Sequence, residues 1–189
     1  MKQLFTALLM TIVLLPAYAQ EAPPQDKFPK EKEEFLGELN AATKLLVQKK
    51  YSEAETALRT LRKKDITRST WGKASFNLGF SLRMANKYLE SIEVFQEIIA
   101  SDVNDKEPSP NMMEHFMNYR HKSCWEISLN YELLEEYEKA LHYMQQADSK
   151  HPFQDADLCG SCSARAKKSL EQRVQFLKSK ATEKRTGDL

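Results

Sequence analysis

The sequence predicts an all-α chain of stacked helical hairpins closed by one further helix. Three observations lead there. A segment recurs three times, as KKYSEAETALRTLRK (49–63), NKYLESIEVFQEIIA (86–100) and EEYEKALHYMQQA (135–147). Turn chemistry is scarce, with only five glycines and seven prolines in 189 residues. Within each copy the small and large apolar residues fall three and four apart, which keeps them on one helical face. A repeat of this length is a supersecondary unit that buries its apolar side only by stacking on its neighbours.

The N-terminus stands apart from the fold. Lys2, the uncharged apolar run from Leu4 to Leu15 and the small-x-small junction Ala17-Tyr18-Ala19 predict a signal peptide over 1–19. The run is shorter than the roughly 20 residues a bilayer span requires, so no membrane span is expected after cleavage. No cysteine stands at the cut to take a lipid. The expectation is therefore an exported chain, periplasmic or otherwise secreted. Residues 20–34 (QEAPPQDKFPKEKEE) mix proline and charge without apolar spacing and predict a mobile leader. Losing Lys2 with the signal leaves 27 basic against 27 acidic side chains. That balance argues against nucleic acid, whose phosphates demand a basic face.

Aligning the copies on Tyr51, Tyr88 and Tyr137 defines the units. Small Ala54, Ser91 and Ala140 follow three residues later. Large Leu58, Phe95 and Met144 come next, and then Leu61, Ile98 and Ala147. Ten residues before each tyrosine stand Ala41, Leu78 and Ile127, followed by small Ala42, Gly79 and Ser128. Each unit thus holds two helices meeting at Lys49-Lys50, Asn86-Lys87 or Glu135-Glu136. The units are expected at about 35–68, 72–105 and 110–152. Ser109-Pro110 reads as a helix start, a cap followed by a first-turn proline, so the first helix of unit 3 is expected to run from Pro110 to Leu134. Met112, Met113, Phe116 and Met117 lie on that extension. Over 153–185, Cys162, Ala166, Leu170, Val174, Leu177 and Ala181 form one apolar stripe, which predicts a C-terminal capping helix before a tail at 186–189.

The pattern of a large residue then Gly or Ala early, and Tyr, Ala, large, Ala late, resembles the tetratricopeptide repeat, a unit of about 34 residues. Leu78, Gly79, Tyr88 and Phe95 match it in unit 2, and Ala140, Ala147 and Pro152 match it in unit 3. The resemblance implies a right-handed α-solenoid of about three units plus the cap. It also implies a concave groove, lined by the first helices, for a protein or peptide partner. Lys73, Asn77 and Phe80 of unit 2, with Lys122, Glu126 and Leu129 of unit 3, would line that groove. A side-chain amide such as Asn77 both donates and accepts, which suits it to an extended backbone. The carboxylate clamp of one tetratricopeptide subclass does not fit. Leu39 and Thr43 stand where its lysine and asparagine belong, and Glu126 would repel the ligand.

Three cysteines complete the inventory: Cys124, three residues after His121, and Cys159 and Cys162 in CGSC. Unit alignment places both groups at the start of neighbouring first helices. The constellation permits a disulfide, from Cys124 to Cys159 or Cys162 or within CGSC. It also permits a zinc site of His121, Cys124, Cys159 and Cys162, free thiols, or a redox pair. Haem attachment is excluded because Ser163 stands where a CxxCH motif requires histidine. HExxH, GxSxG and glycine-rich phosphate loops are all missing from the sequence, so no catalytic residue is assigned and no enzyme is expected. The expectation is an adaptor without a cofactor, working in envelope assembly or secretion. A thiol- or zinc-dependent factor is the alternative.

Overall fold

The computed structural model describes residues 29–64, 67–109, 116–154 and 161–187. Among them are seven α-helices: α1 (Pro29–Val47), α2 (Tyr51–Lys64), α3 (Arg68–Met84), α4 (Tyr88–Ala100), α5 (Tyr119–Leu133), α6 (Tyr137–Ser149) and α7 (Cys162–Gly187). Each helix packs on the next in sequence, and α1 also touches α3 as α3 touches α5. The chain is an all-α, helix-pair repeat. No helix among the described residues is long and apolar enough to cross a membrane.

The repeat positions explain the packing. Ala54, Ser91 and Ala140 are fully buried, as are Leu58, Phe95 and Met144 beyond them. Gly79 shows why the early position stays small. A Cβ placed there would lie 2.7–2.9 Å from three ring atoms of Phe95, which fills the space above it. Ser91 donates to the Gly79 carbonyl at 2.7 Å, and Asn130 of α5 donates to the Ser91 hydroxyl at 2.9 Å. One chain of hydrogen bonds thus links α3, α4 and α5 through the core. Ala41 departs from the pattern and is exposed. Its counterpart Leu78 packs on residues of the preceding unit. Among the described residues no unit precedes α1.

The turns within the units are one structure made three times. Lys49, Asn86 and Glu135 adopt left-handed backbone conformations, with φ of 61°, 61° and 58°. In each turn the next residue's N–H reaches back to a carbonyl five residues earlier: Lys50 to Leu45, Lys87 to Leu82 and Glu136 to Tyr131. The left-handed residue itself bonds the carbonyl three back. This is the Schellman closure, which satisfies two helix-end carbonyls and reverses the chain.

Several boundaries differ from the sequence expectation. α1 begins at Pro29, inside the segment read as leader, with Pro29 opening the helix and Glu31 in its first turn. Both choices suit a helix start. The signal and residues 20–28 lie outside the described residues. α3 starts at Arg68, ahead of 72, because Thr67 and Thr70 cap it reciprocally. The long first helix of unit 3 is corrected. Phe116 bridges to Pro108, and α5 begins only at Tyr119. Asn118 blocks any earlier start, with φ 51°, and its amide donates to the Phe116 and Gln154 carbonyls while accepting from the Gln154 N–H. Met112 and Met113 lie outside the described residues. The last helix starts at Cys162, not 153; Cys162, Leu170, Leu177 and Ala181 are buried along it, with Leu170 and Leu177 packed among residues of α5 and α6.

Candidate functional site

The expected groove residues fall on α3 and α5, and all six are half-buried. Asn77, Lys73 and Glu126 are engaged by residues of neighbouring elements. Asn77 donates to Thr43 Oγ1 of α1 at 3.1 Å. Lys73 lies 2.6 Å from Glu107, whose other oxygen accepts from Ser69. Glu107 belongs to the loop between α4 and α5, so that loop is tied to the front half of α3. Glu126 on α5 meets Arg83 on α3, with Nε and Oε2 2.8 Å apart and both side chains less than one-fifth exposed. Burial pushes the Glu126 carboxyl up, and the neighbouring Arg83 only partly offsets this.

Two residues that organise this face were missed from sequence. Arg83 reaches Glu126 and also lies over the Phe80 ring, 5.0 Å from its centre. Its position three residues after Phe80 was the available signal, since that spacing brings side chains together on a helix. Glu107 carried no local signal, because its partners Ser69 and Lys73 are distant in sequence. What the face leaves available is Phe80 and Leu129, two partly exposed apolar groups on adjacent helices. Leu39, a clamp position in the tetratricopeptide comparison, is in the core at 7% exposure.

The expectations that use Cys124 are corrected. Cys124 is a free thiol, fully buried on α5. Among the described residues no disulfide joins units 3 and 4, and Cys159 lies outside those residues. Burial pushes the Cys124 thiol up to about 12, which disfavours the thiolate that a metal or a redox reaction needs. His121 turns Nδ1 toward the backbone carbonyls of His151 at 2.9 Å and Ala147 at 3.3 Å. Among the described residues no three His, Cys, Asp or Glu side chains are grouped to hold a metal.

Cys124 instead joins the apolar cluster of Ala140, Met144 and Leu170 between α5, α6 and α7. A small hydrophobe is what that position requires. Comparison of the chain with family models, with curated proteins and with solved structures finds no match in any of the three.

Proposed function

We propose that this chain is an exported protein-interaction adaptor. Its hairpins stack as a tetratricopeptide-like solenoid, and the shared face of α1, α3 and α5 receives a peptide or partner helix during envelope assembly or secretion. The observation that carries this reading is the side-by-side contact of α1 with α3 and α3 with α5. Stacked first helices offer a ligand one continuous surface, which is how repeat proteins bind. Phe80 and Leu129 would supply the apolar contact there. The flanking pairs, Asn77 with Thr43 and Arg83 with Glu126, would hold its shape.

The test is partner capture from envelope extract. Phe80→Ala/Leu129→Ala and Asn77→Ala/Lys122→Ala should each lose partners that Glu93→Ala, on the exposed side of α4, retains. Circular dichroism confirms that the variants fold. Equal capture by all of them would overturn the assignment of this face. The export part is tested separately, by a secreted product whose intact mass begins at Gln20. A thiol-dependent role has no support from Cys124, whose sulfur is sealed in the core.

A further inference from the structure

The connection from α4 to α5 holds far more chain than stacking requires. It runs over 101–118, whereas 65–67 suffices between α2 and α3. Connections longer than about 12–15 residues are uncommon, and binding loops are one common reason for them. The described part lies across the starts of α3 and α5 and sets three carboxylates on three basic side chains. Asp102 meets Arg68 at 2.6 Å, Asp105 meets Arg120 at 2.7 Å and Glu107 meets Lys73 at 2.6 Å. Asp105 also accepts from the Arg120 N–H, and Glu107 from Ser69. Among them Val103 is buried, with its Cγ2 over the small Gly72 of α3.

The two helix starts are suited to such a segment. α1, α2, α4 and α6 each carry a glutamate in the first turn, where negative charge complements the helix dipole. α3 and α5 carry no acidic residue there and present Arg68 and Arg120 instead. Lys150 lies with Arg120 and Asp105 around the small cleft where α5 begins. Against these cations and Lys73 the loop sets its three carboxylates and one cation, the exposed Lys106. The loop thus lies on a basic surface of its own chain as an acidic peptide would. Its pattern is acidic then apolar, with further acidic residues three and five positions after the first.

We propose that residues 102–107 are a built-in competitor, and that this end of the shared face binds a partner's acidic segment of the same pattern. The incoming carboxylates take Arg68, Lys73 and Arg120, an apolar side chain takes the place of Val103 over Gly72, and the loop lifts. The resident segment excludes acidic sequences that match only part of the pattern, because they replace only some of its contacts. The proposal rests on the reading of the α1, α3 and α5 face as a binding surface, and names the chemistry recognised where α3 and α5 begin. Phe80 and Leu129 lie further along the same helices.

The probe is a fluorescein-labelled peptide of residues 101–109 (SDVNDKEPS), titrated with the full chain to about 1 mM and read by anisotropy. The full chain carrying Asp105→Asn/Glu107→Gln should bind it about tenfold or more tighter than the wild type, because its competitor is weakened. Adding Lys73→Gln/Arg120→Gln should cost about tenfold or more, as should a peptide carrying Asp102→Asn, Asp105→Asn and Glu107→Gln. In the wild type, excess peptide should speed hydrogen exchange of the Met117 and Asn118 amides, which donate to the Glu107 and Asp105 carbonyls of the closed loop, by about threefold or more. A folded loop variant that binds no peptide overturns the proposal. So does equal affinity in wild type and loop variant, or binding that survives Lys73→Gln/Arg120→Gln. Unchanged Met117 and Asn118 exchange in the wild type also overturns it, and decides the matter if the loop variant fails to fold. A wild-type dimer in sedimentation velocity that the peptide dissolves would give the place to the loop of a second copy and overturn it too. Phe80→Ala/Leu129→Ala should leave peptide binding within about twofold, so failure here and failure of the apolar part of the face are separate results.

Discussion

Replacing Gly79 by alanine tests the packing on which the stack depends. The added Cβ would meet Phe95 Cζ, Cε2 and Cε1 at 2.7, 2.8 and 2.9 Å, distances that real methyl groups do not tolerate. The ring has little room to retreat, since Phe95 is fully buried and its edge contacts Phe76, with centroids 5.4 Å apart. Phe76 in turn contacts Tyr119. Relief must come from moving α4 away from α3, which strains the bonds from Asn130 to Ser91 and from Ser91 to the Gly79 carbonyl.

Three contacts under 3 Å with a fully buried ring put the overpacking in the upper part of its usual range, about 2–3 kcal/mol, and the better helix propensity of alanine returns about 1 kcal/mol of it. The net loss is about 1–2 kcal/mol, which lowers Tm by roughly 2–8 °C for a chain of this size. Thermal and urea unfolding followed by far-UV circular dichroism measure it. Phe95→Leu in the Gly79→Ala background should recover part of the loss, so that the two changes are not additive. A Gly79→Ala protein as stable as the wild type, or more stable, would refute the reasoning. Propensity alone would then be at work, and the small position would have no packing role.

The three left-handed turn residues make a second comparison. Lys49→Gly and Glu135→Gly should each stabilise by about 1 kcal/mol, since a β-carbon in that conformation costs about 1–2 kcal/mol and glycine returns some of the gain as backbone entropy. Asn86→Gly should gain less, because asparagine tolerates the conformation and Asn86 accepts from the Tyr88 hydroxyl; the order of the three melting temperatures checks this. Glu126 sets a pH dependence. Its native pKa is raised, so the folded chain holds the proton more tightly, and stability falls as pH rises from the ordinary carboxylate range through the native value. Urea unfolding at pH 4 and pH 7 should therefore show the wild type losing ground to Glu126→Gln at the higher pH, and the opposite trend would contradict the burial argument. Cys124 should resist alkylation at pH 8 in the native protein and react once denaturant is added, as peptide mapping after iodoacetamide treatment would show.

The core was legible because its rule is periodic. Tyr51, Tyr88 and Tyr137 located three identical turns, and the small and large residues that follow them became the buried contacts between helices. Features resting on one distant partner were not legible. Ser109-Pro110 looks like any helix start, and what delays α5 is Asn118 bonding to Gln154, 36 residues away. The residues expected to line a groove fall on α3 and α5, and Asn77, Lys73 and Glu126 are held there by Thr43, Glu107 and Arg83. Composition cannot tell an open polar face from one whose charges are already matched. The cysteines show the same limit from the other side. HxxC spacing suggests chemistry, whereas the Cys124 position simply needs a small apolar side chain.

The loop between α4 and α5 is more than a length of extra chain. Glu107 grips Lys73 and Ser69 behind it, while Asp105 holds Arg120 at 2.7 Å and Asn118 clasps Gln154 ahead. Such a segment behaves as a strut that resists bending where α3 meets α5. Under tension the stack would yield first at its front hairpin, which is held by apolar contacts, by surface ion pairs from Arg59 and Arg62 to α4, and by the bonds of Asn77 to Thr43 and of Ser81 to the Tyr51 carbonyl. A load drawn from the front would peel α1 and α2 away and leave the remainder standing.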